Sequence, residues 1–247
     1  MISELFGKGD TCPANLERVR ETNLVYELLN EVRNFSRTIS MNQIVKELSK
    51  SESKQIQKIL RQYKGNLFVK LLGVEENEDT DKMIFEYIEG THDHSNADLQ
   101  NFFFQLGKMH RLNQIKIEHM DEELRGLEAF LTILHGDVHQ KNIIKSENSF
   151  RLIDLTMTKV GVNYDDLDYL DLLNLFDAEK YPWVLKDNGL FDSYLKGAEI
   201  NLNKNETVKL KKLLTKRFLQ KYIENGEKNN IDVSNERALL ENITELE

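Results

Sequence analysis

The apolar residues of this 247-residue chain change period near Gly90, and that change limits the possible folds more than any other feature. Before it, the apolar runs are short and strand-like. NLVYELL (Asn23 to Leu29) mixes Val, Tyr and Leu, and RTISMNQIVKEL alternates roughly through Ile39, Met41, Ile44 and Leu48, the period of a half-buried strand. SKSESKQIQKILRQY then sets Ile56, Ile59, Leu60 and Tyr63 at helical spacing. NLFVKLLGV and KMIFEYIEG, parted by the polar turn EENEDTD, predict an antiparallel hairpin. After Gly90, Leu99, Phe102, Phe103, Leu106, Met109 and His110 share one helical face, and Leu124, Leu127 and Phe130 predict a further helix. Two short strand-like runs, HGDVHQKNIIK and SFRLIDL, meet at the turn SENS; everything after Asp165 is helical in pattern. With only two prolines, Pro13 and Pro182, helices can run long. Strands first and helices after predict an α+β chain in two lobes, 1–89 β-rich and 90–247 mostly helical, with a small hairpin at 134–154.

Charge and cysteine narrow the function classes. Asp and Glu outnumber Lys and Arg by 42 to 33, a formal net charge of −9. That argues against a nucleic-acid partner held by a general basic field. The basic stretch KLKKLLTKRF reads as a helix with a core face and a solvated lysine face. The lone Cys12 has no internal disulfide partner, excludes a Cys-rich zinc site and suits a reducing compartment. No apolar run approaches a membrane span, and MISELFGKGD is unlike a secretory leader, so the expected location is cytoplasmic, with no membrane partner.

The densest cluster of reactive groups is HGDVHQKNII followed by LIDL. Asp137 precedes Asn142 by five residues, and Asp154 follows twelve residues later. Phosphoryl transfer from a nucleotide needs one carboxylate to orient the acceptor hydroxyl and hard oxygen ligands to hold Mg²⁺ on the phosphates. An Asp and an Asn on one tight loop, with an Asp from the next hairpin strand, are residue types suited to those roles.

The string His-Gly-Asp, any residue, His, two residues, Asn, then Ile-Asp resembles the catalytic loop of the aminoglycoside phosphotransferase and choline kinase family, relatives of protein kinases. GVNYDDL, with Gly161, Asp166 and Leu167, is similar to the family's downstream Gly and Asp-Leu. The resemblance implies a protein-kinase-like two-lobed fold, ATP or GTP as phosphoryl donor, Mg²⁺, and a hydroxyl of a small molecule as acceptor. Asp137 then corresponds to the catalytic base, and Asn142 and Asp154 to the metal ligands. Lys46 in QIVKEL matches the phosphate-binding lysine of the third strand, with Glu52 as its ion-pair partner. MIFEYIEG matches the hinge strand, where the backbone at Glu86 and Ile88 would pair with adenine. Met109-His110 is similar to the Leu-His that ends the first large-lobe helix. Two departures stand out: Leu155 replaces the usual aromatic, and ETNLVYEL has no GxGxxG.

Two other readings compete. Asp137-x-His139 also resembles the first ligand pair of the metallophosphoesterases, with His92-Asp93-His94 as further ligands, yet the Gly-Asp-x-x-Asp and Gly-Asn-His that such enzymes need are missing downstream. A catalytically silent kinase-like binding protein would suit the missing Gly-rich loop. It would have no chemical need for the base and both metal ligands. The run Asp165, Asp166, Asp168, Asp171, Asp177 and Glu179 has no Lys or Arg between Val160 and Glu179, which favours a cationic or neutral acceptor.

Overall fold

The computed structural model describes residues 43–115, 122–147, 149–167 and 189–245. The NLVYELL strand expected at 23–29, and the acidic residues of the run after Asp166 (Asp168, Asp171, Asp177 and Glu179), lie outside them. The described residues are α+β, as expected. They form two compact units, one with the residues up to Lys50 and Leu71–Glu86, the other with Ser51–Lys70 and everything from Tyr87 on.

The first unit is a three-stranded antiparallel sheet. Strands β1 (Gln43–Ser49), β2 (Leu71–Glu76) and β3 (Thr80–Glu86) lie in the order β1-β3-β2. In β3 burial alternates through Asp81, Met83 and Phe85, the signature of a strand with one covered face. The buried Asp81 carboxylate is paired with Lys50 Nζ at 3.3 Å. The expected hairpin is present but displaced: β3 begins at Thr80, inside the expected polar turn, and the β2 register slips between Leu71 and Gly73.

In the second unit, helix α1 (Lys50–Leu60) buries Ser53, Ile56 and Ile59. The segment after it does not extend β2. Leu67 O accepts from Leu152 N (2.7 Å) and Val69 N donates to Leu152 O (2.9 Å). Tyr63 folds back to support this path, stacking on Phe68 at 4.4 Å and accepting the amides of Leu67 and Phe68. Residues 51–70 are therefore bonded into the second unit rather than the sheet. Helix α2 (Asn96–Leu112) starts at a Ser95–Asp98 capping box and buries Phe102, Phe103, Leu106, Met109 and His110. It packs on α3 (Leu190–Gly197) at very short range: a Cβ on Gly107 would lie 2.3 Å from Tyr194 O, and one on Gly197 2.0 Å from Phe104 O.

Strand β4 (Leu131–Leu134) pairs antiparallel with β7 (Lys159–Val162), and β5 (Ile143–Lys145) with β6 (Phe150–Leu152). Helices α4 (Lys204–Lys228) and α5 (Ser234–Glu245) complete the unit. The helix expected over Leu124, Leu127 and Phe130 does not form. A single 3-10 turn at Glu122–Leu124 gives way to Gly126 (φ 80°) and Glu128 (φ 50°), which leave helical space. All three apolar side chains are still buried. Among the described residues no helix is long and apolar enough to cross a membrane.

Candidate active site

Strand β4 delivers His135, Gly136 and Asp137 to the end of the β4–β7 ladder. Gly136 has φ 82°, and a Cβ there would meet Met157 O at 2.3 Å, so only glycine fits this turn. The turn is held by Asp166, which is fully buried. Its Oδ2 accepts the His135 amide at 2.7 Å and its Oδ1 the Gly136 amide at 2.6 Å. His110 Nε2 approaches the same carboxylate at 3.1 Å, while its Nδ1 faces the Tyr194 hydroxyl at 2.8 Å. Tyr194 in turn donates to Asn163 O. Burial pushes the Asp166 carboxyl upward, but His110, the charge of His135 and the Gly136 amide together leave it below the usual carboxylate value.

The His135 ring ties this turn to the chain just before Asp154. Its Nε2 donates to Ile153 O at 2.7 Å, one residue before Asp154. Among the described residues its buried Nδ1 has no hydrogen-bond partner.

Asn142 ends a 3-10 turn, Gln140–Asn142, and is buried. Its Nδ2 lies 2.9 Å from both Asp137 O and Asp137 Oδ2, and 3.0 Å from His139 Nε2. Its carbonyl accepts from Ile153 N at 3.0 Å, which extends the β5–β6 ladder by one bond towards Asp154. With Nδ2 turned to Asp137, Oδ1 is the amide atom suited to a cation. The half-exposed Asp137 carboxyl titrates below its usual value. The His139 ring 3.4 Å away is the main cause, and Asn142 adds to it against partial burial.

Asp154 adopts the left-handed conformation (φ 59°, ψ 74°), which carries strain in a non-glycine residue. Its Oδ1 accepts from Thr156 Oγ1 at 2.6 Å and more weakly from Thr156 N at 3.4 Å. The following Leu155, where the resemblance implies an aromatic, is buried. Just beyond, Gln55 Nε2 of α1 donates to Thr158 O at 3.0 Å.

The structure thus brings Asp137 and Asn142 into contact and bonds the Asn142 turn to Ile153, the residue before Asp154. The other expected site residues are placed separately. Glu52 is exposed in the first turn of α1, where its charge suits the helix dipole. Lys46 lies on β1 opposite Met83, half-buried in the sheet unit, and Glu86 ends β3 opposite Gln43. Ile88 follows β3 and is half-buried. Sequence reasoning missed Tyr194 and Gln55, whose partners are 84 and 103 residues away. Among the described residues no three His, Cys, Asp or Glu side chains group around a metal position, and the His92 and His94 rings face Ile143 O instead.

No family model matches the chain, and no curated protein does. Among solved structures it is similar to amicoumacin kinase hAmiN in complex with AMP-PNP, Ca²⁺ and Ami. That likeness has a TM-score of 0.49 and 13% identity over 92% of this chain and 94% of that one. It is also similar to an aminoglycoside-3'-phosphotransferase of type VIII, with a TM-score of 0.41 and 13% identity over 71% of this chain and 84% of that one. The described residues combine a small antiparallel sheet with a largely helical unit, an α+β arrangement.

Proposed function

We propose that this protein is a small-molecule kinase that moves the γ-phosphoryl group of ATP or GTP to a hydroxyl of its acceptor. The observation that carries this reading is the joint around Asn142. Its side chain contacts Asp137, and its backbone carbonyl accepts from the amide of Ile153, the residue before Asp154. One base and two oxygen ligands on rigid, cross-bonded backbone are what phosphoryl transfer needs, because its catalysis is chiefly positioning and charge neutralisation.

A divalent cation such as Mg²⁺ fits this donor set. Asn142 Oδ1 and the Asp154 carboxylate are hard oxygen donors, and phosphate oxygens and water would complete the shell. When bound, the ion would neutralise phosphate charge. The residues of the chain do the rest. Asp137, ionised at neutral pH, accepts a hydrogen bond from the acceptor hydroxyl and aims its oxygen at the γ-phosphorus. The new P–O bond forms as the bond to the β-phosphate oxygen breaks, the nucleoside diphosphate leaves, and the hydroxyl proton passes to Asp137. A carboxylate with a lowered pKa is a weak base, so it acts mainly by orientation until the phosphorus has been engaged.

The remaining assignments belong to the same reading. Residues 1–89 form the nucleotide lobe and 90–247 the catalytic lobe. Lys46 reaches the phosphates with Glu52 as its ion-pair partner, and the backbone at Glu86 and Ile88 receives the base. The acidic run after Val160 favours an amine-bearing or neutral polyol acceptor, whose KM for an amine would rise with ionic strength. The test is a screen of hydroxylated small molecules, amines included, with Mg-ATP. Nucleoside diphosphate release that requires both metal and a particular acceptor supports the proposal. Metal-dependent nucleotide binding with no turnover on any acceptor would instead favour a silent binding protein.

A further inference from the structure

We propose that His92 and His94 are positioning residues that set Asn142 for its cation through the carbonyl of Ile143. The inference rests on the reading of Asn142 as a metal ligand.

The His-Asp-His motif looks in sequence like a metal-binding run, but its rings are engaged otherwise. His92 Nδ1 lies 2.9 Å from Ile143 O and His94 Nε2 lies 3.2 Å from the same atom. A carbonyl oxygen has two lone pairs, so one oxygen can accept both ring N–H groups. The two histidines then donate from opposite ring positions, Nδ1 in one and Nε2 in the other. His94 also packs at a tilt on Phe150 of β6, 6.3 Å between centroids.

Ile143 directly follows Asn142, and the loop carrying the histidines grips the chain on both sides of it. Upstream, Gln140 Nε2 donates to His92 O at 3.0 Å. Downstream, Thr91 and Lys145 exchange two backbone bonds of 3.0 and 2.9 Å, and Lys145 Nζ reaches Asp98 of the α2 capping box at 2.7 Å. Gly90 lies so close that a Cβ would sit 2.3 Å from Lys145 O. Residues 91–98 therefore clasp 140–145, and the Ile153 N–H bond to Asn142 O fixes the same turn from the other strand. A loop pinned at Gln140, Ile143 and Lys145 leaves Asn142 one backbone setting. Outer groups that orient a metal ligand in this way commonly change metal affinity by about 10–100-fold when removed.

The test measures binding of a non-hydrolysable ATP analogue by calorimetry across a Mg²⁺ titration, with thermal melting alongside. His92 is exposed, so His92→Ala should fold. It and His94→Ala should each raise the Mg²⁺ concentration for half-maximal binding by about tenfold. His92→Asn and His94→Gln, which restore an N–H near the original nitrogen, should recover most of that loss. If the alanine variants kept the wild-type Mg²⁺ dependence while Asn142→Ala lost it, the histidine clasp would be structural only and the proposal overturned. If Asn142→Ala itself left the Mg²⁺ dependence unchanged, the ligand assignment would fail and the proposal with it.

Discussion

Asp166 binds the amide of Gly136 at 2.6 Å, so the turn that presents Asp137 hangs on a buried carboxylate 30 residues further along the chain. Removing one partner from a buried charged network costs about 3–5 kcal/mol. Asp166→Ala should therefore lose stability of that order in urea unfolding. The sign with pH is fixed by the direction of the shift. A depressed carboxyl pKa contributes stability above the unfolded value of about 4 and loses it as pH falls through the lower folded value. The wild type should weaken below about pH 4, and Asp166→Asn should weaken less over that range.

Gly136 is the second fixed point of the same turn. With φ 82° and only 2.3 Å between the position a methyl group would take and Met157 O, Gly136→Ala meets both conformational strain and a backbone clash. The left-handed conformation alone costs an L-residue roughly 1–2 kcal/mol. The variant should melt lower than the wild type and lose activity more than its melting shift explains. An unchanged melting midpoint would show that the β4 end relaxes freely.

How much of this was legible in the sequence depends on range. Asp137, Asn142 and Asp154 sit within eighteen positions, so one short stretch of sequence is enough to single them out as candidates. His110 and Asp166 are 56 residues apart, and Gln55 and Thr158 are 103 apart; no local period encodes such contacts. Leu124, Leu127 and Phe130 show a different gap. Their spacing correctly marks burial, but burial does not determine backbone, and positive φ at Gly126 and Glu128 ends the turn. Strand β4 is four residues long, too short to show a period. Leu67 to Val69 read as hairpin residues, yet their backbone bonds go to Leu152, a partner that alternation along the chain does not name.

The two proposed metal ligands should differ in weight. Asp154 brings a charge and Asn142 a neutral amide, and a hard cation favours the charge. Asp154→Ala should abolish Mg²⁺-dependent nucleotide binding, and Asn142→Ala should weaken it. Calorimetry with and without Mg²⁺ separates the two. Equal binding by Asp154→Ala and wild type would remove Asp154 from the metal site.

Lys46 sits half-buried on β1 opposite Met83, a placement compatible with an ordinary strand lysine. As a phosphate-binding group it predicts more: Lys46→Met should raise the KM for ATP and lower kcat while the thermal midpoint holds. Unchanged kinetics would return Lys46 to a structural role.

The most direct test of the whole account is the turnover of Asp137→Asn on the best acceptor from the screen. A positioned base contributes about 10²–10⁴-fold, so kcat should fall within that range while Mg²⁺-dependent nucleotide binding is largely kept. Turnover close to wild type in a folded, nucleotide-binding Asp137→Asn protein would contradict the assignment of this loop as the catalytic centre of a kinase.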